Sequence, residues 1–229
     1  MDIVGFLQTN KPFIFAKFGD GEYFASMGAP GGNCDGTRYT PELGKAVREA
    51  FQTLSPLPNA YLGKWVDTPY VAPYFETLSS KVQWENYNIF IFRTRDEYFQ
   101  RCLPMYRAMK AVPRQKIYVG NSTMFEGIHD FLGPIEFLDV HPVNWFEQFE
   151  ATVKRLLELV KTVDPLIIMS AGMGAKPLIA RVATALPKAT ILDIGSALDL
   201  VCGWRRSRDY HRLTNAEIAE IRASLTTAS

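Results

Sequence analysis

Phe13-Ile14-Phe15-Ala16-Lys17-Phe18-Gly19-Asp20-Gly21-Glu22 is an apolar, aromatic run that ends abruptly in a Gly-Asp-Gly-Glu turn, and Tyr23-Phe24-Ala25-Ser26-Met27 behind it starts a helix. A strand emptying into a glycine turn presents side chains and backbone N–H groups at the carboxyl edge of a sheet, where open α/β sheets bind ligands. The turn carries two carboxylates, Asp20 and Glu22, one glycine apart. In an extended turn, residues i and i+2 point to the same side, so both carboxylates converge on one hard cation. Gly19 and Gly21 leave room for a ligand and tolerate positive φ. The same letters also suit a plain polar turn whose acids favour the start of a helix.

Outward from this stretch, strand-like and helix-like segments alternate at short spacing. Residues 3–9 read as a short amphipathic helix before the strand at 13–18. Residues 28–36 are dense in glycine and proline and form a loop that brings Asn33 and Asp35 near the acidic turn. Thr40 and Pro41 open a helix carrying Leu43, Val47, Ala50, Phe51 and Leu54 at helical spacing. Further strands are expected at 60–66, 88–92, 116–120, 135–140, 165–169 and 189–192. Of these, 88–92 reads as a strand buried on both faces. Helices are expected at 69–78 (interrupted by Pro73), 93–111, 122–132, 146–160 and 176–186. This alternation predicts a doubly wound α/β fold, a mostly parallel sheet with helices on both faces in the Rossmann-like manner. Residues 1–204 would form one α/β domain. Residues 205–229 would supply a basic segment (Arg205, Arg206, Arg208, His211, Arg212) and a terminal helix packed on the same domain, opened by a Thr214…Glu217 capping box.

A second informative turn is Met169-Ser170-Ala171-Gly172-Met173-Gly174-Ala175-Lys176-Pro177. A buried strand, a glycine turn and a helix start direct backbone N–H groups at an anion, typically phosphate, and Lys176 adds a point charge. It is no Walker A loop, because the glycine spacing is absent and Pro177 stands where Ser or Thr would ligate magnesium. It partly imitates a dinucleotide fingerprint: Gly172-x-Gly174 precedes Asp193 at about the right separation, but the third glycine is missing. A glycine turn needed only for tight packing reads the same way. Asp193, at a strand end, would face the crevice and bond ribose or sugar hydroxyls. Asp199, six residues on, suits either a site role or a helix start. His141, following a strand end beside Asp139, is a candidate for deprotonating an acceptor. His129 reads as structural, and the three histidines show no ligand spacing.

The segment from Ala16 to Glu22 resembles the signature that opens the GT-D class of glycosyltransferases. A glycine turn with a lysine (170–176), followed by a strand running into an Asp-x-Gly-x-x-x-Asp-like segment (192–199), is similar to a later block of that family. The two blocks bracket residues 13–199. The resemblance implies an α/β nucleotide-binding fold, a nucleotide-sugar donor, most often a UDP-sugar, and an Asp-x-Glu pair, here Asp20 and Glu22, serving Mn²⁺ or Mg²⁺. Lys17, Gly19, Gly21, Gly172, Gly174, Lys176 and Asp193 would then surround the donor, with Asp199 and His141 beside the chemistry. Lys17 stands where the family commonly has arginine, which keeps the charge but loses the bidentate fork.

Composition narrows the alternatives. A 47% hydrophobic chain of 229 residues is enough for a sizeable core. A net charge of +1 gives no whole-surface attraction to nucleic acid. Cys34, Cys102 and Cys202 form neither a zinc spacing nor a disulfide framework and suit a reducing, cytoplasmic setting. No run approaches the roughly 20 apolar residues that span a bilayer, so membrane contact would be peripheral; the basic cluster reads as a solvated surface or, alternatively, as a face toward an anionic acceptor, a membrane surface or a neighbouring subunit. The expected function is metal-dependent transfer of a sugar from a nucleoside-diphosphate sugar to a glycan or glycoconjugate hydroxyl. The rivals are an NAD(P)-dependent oxidoreductase built on Gly172-x-Gly174 and Asp193, and a non-catalytic nucleotide- or sugar-binding module.

Overall fold

The computed structural model describes residues 1–203 and 212–226. Of the basic cluster, Arg205, Arg206, Arg208 and His211 lie outside the described residues. Strands β1 (Ile14–Phe18), β2 (Ala60–Lys64), β3 (Trp84–Asn86), β4 (Lys116–Gly120), β5 (Glu136–Asp139), β6 (Leu166–Ser170) and β7 (Thr190–Asp193) form one seven-stranded sheet. Their order is β3-β2-β1-β7-β6-β4-β5, and every pairing is parallel. The chain builds outward from β1 to β3, then fills the other side with β4 to β7. The two halves meet between β1 and β7, the kind of switch point where doubly wound sheets open a crevice.

Helices cover both faces. One face carries α2 (Asp20–Ser26), α3 (Pro41–Leu54) and α4 (Val71–Leu78), and α1 (Ile3–Gln8) lies on the opposite face. After β3 come α5 (Arg95–Glu97), a π-helical segment (Tyr98–Cys102) and α6 (Leu103–Ala111), one nearly continuous helical stretch as the spacing predicts. Then follow α7 (Phe125–Leu132), α8 (Phe149–Leu159), α9 (Ala175–Ala185) and α10 (Asn215–Thr226). The first core gathers α2, α3, α4, α8 and α9, and the second gathers α1, α6, α7 and α10. Strand alternation feeds both: Ile14, Ala16 and Phe18 enter the first, Phe13 and Phe15 the second. Two buried faces explain why the strands read as continuous apolar runs rather than as alternating ones. Pro73 sits in the first turn of α4, where no intrahelical N–H is needed, so it does not interrupt the helix.

Residues 88–92 are not a strand. The ladder uses Trp84–Asn86, and the following residues turn inward to bury Phe90, Ile91 and Phe92 in the second core. Phe90 is held edge-on to Phe15 at 5.4 Å, and its carbonyl accepts from the Tyr106 hydroxyl at 3.0 Å. The capping box of α10 forms as its letters imply, with Thr214 N donating to Glu217 Oε2 at 2.7 Å. Arg212, exposed, donates its backbone N–H to the Arg93 carbonyl.

At the amino edge of the sheet, buried Lys116 donates from Nζ to the carbonyls of Lys110 and Leu132, each at 2.7 Å, tying together the carboxyl ends of α6 and α7. Burial, assisted by the neighbouring Lys110 charge, lowers its pKa to about 8. The unfolded chain keeps its proton up to an ordinary lysine value near 10.5. Between those limits the unfolded state binds more protons, so unfolding free energy rises with pH. We predict that wild type gains on the order of 2 kcal/mol from this group between pH 8 and 10.5, and that Lys116→Met abolishes that increment. Urea unfolding of both proteins across the range measures it.

Candidate active site

The carboxyl ends of β1, β6 and β7 bring together residues far apart in the sequence. Gly19 is the N-cap of α2 with extended backbone, which makes Asp20 the first helical residue and Glu22 the third. Glu22 reaches back so that its Oε2 accepts from Gly19 N at 2.9 Å, the carboxylate half of a capping box. The turn is therefore helical rather than extended, and residues two apart on a helix point in widely different directions. Asp20 is exposed; Glu22 is buried. The expected convergence of the two acids on one cation is absent from this geometry.

Glu22 meets a different cation. Lys176, in the first turn of α9, places Nζ 2.9 Å from Glu22 Oε1 and 2.9 Å from Asp193 Oδ2, and donates to the Gly172 carbonyl at 3.1 Å. All three residues are under 5% exposed. Burial acts against the Lys176 charge, but Asp193 and then Glu22 outweigh it and hold the ammonium above the ordinary lysine range. Its three donors are thus all directed inward. In this arrangement Lys176 neutralises the two carboxylates at the floor of the site.

Asp193 is likewise under the crevice rather than facing it. Its Oδ2 also accepts from Lys17 N at 3.2 Å, and its Oδ1 accepts from Gly195 N at 3.1 Å. It ties β1 to the turn after β7. Gly195 has φ +54°, and a Cβ there would lie 2.7 Å from Lys17 Nζ, so the lysine head occupies the space that glycine leaves. The Lys17 ammonium sits 4.2 Å from the centre of the Tyr87 ring, a cation–π contact. Tyr87, absent from the sequence reading, is found by no local signal; only the fold carries it to Lys17.

The loop expected at 28–36 does close on the site. A Cβ on Gly21 would lie 2.8 Å from Asn33 Oδ1, and one on Gly172 (φ +57°) 3.1 Å from Asp35 Oδ2. Asn33 Nδ2 donates to Asp35 Oδ2 at 2.9 Å, which holds the loop acid in place. Burial, then the charges of Asp20, Cys34, Glu22 and Asp35, push the Tyr39 hydroxyl up to about 12. The mouth of the site is therefore electronegative, with Tyr39 as its protonated member.

Asp199 is nearly buried and lies within electrostatic reach of Tyr118 and Cys202. His141 is exposed beyond β5, and its Nδ1 lies 2.7 Å from the Val143 carbonyl. Trp145 stands between His141 and the glycine turn. Its Nε1 donates to the Ala171 carbonyl at 2.7 Å, and a Cβ on Gly174 would lie 2.6 Å from its ring. Gly174 is thus required by the close approach of Trp145. Among the described residues no group of three His, Cys, Asp or Glu side chains could hold a metal ion. Both Glu22 oxygens are occupied, so of the expected pair only Asp20 fits a divalent ion. Its Oδ1 accepts from Gly21 N at 2.9 Å, and its Oδ2 accepts no hydrogen bond from the described residues. One carboxylate suffices where substrate phosphates and water complete the shell.

The fold is that of the DUF1792 domains. A selenomethionine-substituted structure of domain of unknown function 1792 superposes with a TM-score of 0.62 at 15% identity, over 96% of this chain and 87% of that one. A second, described as a highly conserved domain of unknown function 1792 with a distinct glycosyltransferase fold, gives 0.60 at 15% over the same shares. A third, described as a new glycosyltransferase (DUF1792) from Streptococcus sanguinis, gives 0.61 at 16%, over 95% and 90%. No family model matches the sequence, and no curated protein matches it. No helix among the described residues is long and apolar enough to cross a membrane.

Proposed function

We propose that the protein is a glycosyltransferase that takes a nucleoside-diphosphate sugar, a UDP-sugar by the resemblance of its motifs, and transfers the sugar to a hydroxyl of a glycan or glycoconjugate. The observation that carries this reading is the Glu22–Lys176–Asp193 triad, buried at the switch point of a glycosyltransferase-like fold directly beneath Asp20 and the Gly172 turn. The triad holds α2 and α9 against β7, so the two helix starts keep their relative positions without moving parts. A diphosphate entering a mouth lined by Asp20 and Asp35 needs positive charge to enter with it. Mn²⁺ or Mg²⁺ bound with the diphosphate and held to the protein by Asp20 would stabilise the charge that grows on the leaving nucleotide. Lys17 adds fixed positive potential beside Gly195. In the transfer, the acceptor oxygen bonds to the anomeric carbon, the carbon–oxygen bond to the diphosphate breaks, and that electron pair leaves with the nucleotide. The acceptor proton passes to a base, for which His141 or a nearby carboxylate serves. The oxidoreductase reading loses the residue it depends on, since Asp193 is buried and committed to Lys176, Lys17 and Gly195.

Incubation with a panel of nucleotide sugars, with and without Mn²⁺, tests the reading through nucleotide release. We expect metal-dependent release from at least one donor, lowered on the order of a hundredfold or more in Asp20→Asn. Metal-independent release, or equal rates in wild type and Asp20→Asn, would remove Asp20 from the role assigned to it.

A further inference from the structure

Beside the site, at the carboxyl ends of β4 and β5, lies a cavity of about 270 Å³. At roughly 30 Å³ per water, this is room for about nine waters, the scale of one sugar ring rather than of a nucleotide. Its walls are polar and mixed in kind: Asn121 and Asp139 come from the strand ends, His141 from the loop beyond, Gln148 from the N-cap of α8 and Arg155 from the middle of that helix. Trp145 is the remaining wall, and the same ring packs against Gly174 of the phosphate-side turn. The cavity and the proposed donor site therefore share one side chain and one edge of the sheet.

The charges in the cavity fit a neutral, hydroxyl-rich ligand better than an anion. Asp139 Oδ1 already accepts from Ser122 N at 2.8 Å, and Asn121 Oδ1 accepts from Thr123 N at 3.1 Å, so the helix start that could hold a phosphate is capped from within. Arg155 has no carboxylate ion-pair partner among the described residues, and the cavity lining carries one acid, Asp139, beside it. Planar amide, carboxylate and guanidinium groups around a small space, with an indole wall, are the groups that bond vicinal hydroxyls and cover the apolar face of a sugar ring. His141 Nδ1 is engaged within its own loop, 2.7 Å from the Val143 carbonyl oxygen and 3.2 Å from Val143 N.

From these observations we infer that the β4–β5 cavity is a binding site for one neutral sugar unit, the acceptor's. Sugar binding there stands on the cavity alone, whereas the acceptor role rests on the transferase reading. The test is a titration of the ¹⁵N-labelled protein with glucose, galactose, N-acetylglucosamine and N-acetylgalactosamine as methyl glycosides, in the absence of any nucleotide. At least one of them should shift the Trp145 indole N–H and the Asn121, Ser122 and His141 amides saturably. Arg155→Ala, at an exposed helical position, should weaken that binding about tenfold or more while leaving the spectrum otherwise intact. With donor present, Arg155→Ala should raise the KM for an acceptor built on the bound sugar more than it lowers kcat. No saturable shift from any of the four sugars, shifts confined to residues 172–176, or equal binding by Arg155→Ala would overturn the inference. Sugar binding at the cavity without any nucleotide-sugar turnover would instead uphold the site and overturn the transferase reading.

Discussion

Lys176→Met should unfold with about 3–5 kcal/mol less free energy than wild type near neutral pH, because it leaves two buried carboxylates without their cation. For a domain of this size, that is a fall in Tm on the order of 10 °C. The loss should depend on pH in a definite direction. Without Lys176, folding buries two carboxylates with no counter-ion, a cost that is relieved only when they are neutral. A folded variant that takes up protons for this reason, where the unfolded chain has released them, loses stability as pH rises. The deficit relative to wild type should be smallest near pH 5 and largest near pH 8. Adding Glu22→Gln and Asp193→Asn to Lys176→Met should recover much of it, since neutral amides do not require a counter-ion. Urea unfolding of the three proteins at both pH values decides the matter; a deficit that is the same at pH 5 and pH 8 would mean that the triad contributes packing rather than charge pairing.

The second large effect is expected at Gly44, remote from any chemistry. In α3 this glycine packs against α2, and a Cβ there would overlap the carbonyl oxygen of Ala25. The obstructing atom is backbone, so no rotamer change relieves it, and α2 must move as a unit. Gly44→Ala should cost about 3 kcal/mol or more, the upper end of overpacking. Because α2 carries both Asp20 and Glu22 in its first turn, the variant should also lose donor turnover at temperatures where it remains folded. Thermal unfolding combined with nucleotide-release assays measures both effects. A variant within about 0.5 kcal/mol of wild type would show that the two helices have slack at their crossing.

Much of this architecture was legible from local chemistry. Thr40 and Pro41 do begin a helix, with Thr40 Oγ1 accepting from Leu43 N at 3.2 Å, because capping is decided within four residues. The run from Ile14 to Phe18 is a central strand because apolar residues on both faces have only one place to go in such a sheet. Residues 88–92 look the same by composition, but burial alone does not distinguish a strand from an apolar turn. There, the place beside β2 was already taken by Trp84–Asn86.

The sequence by itself determined the alternation of strands and helices, the two glycine turns and the edge of the sheet at which they open, since each depends on contacts within a few residues. Only the tertiary structure decided what the charged side chains at that edge do. Glu22, Lys176 and Asp193 are brought into contact by the parallel pairing of β1 with β7 and of β7 with β6, and no local pattern records which acid a distant lysine will neutralise. That pairing leaves Asp20 as the outward carboxylate, because a buried charge must be compensated from inside the protein whereas an exposed one remains open to a ligand.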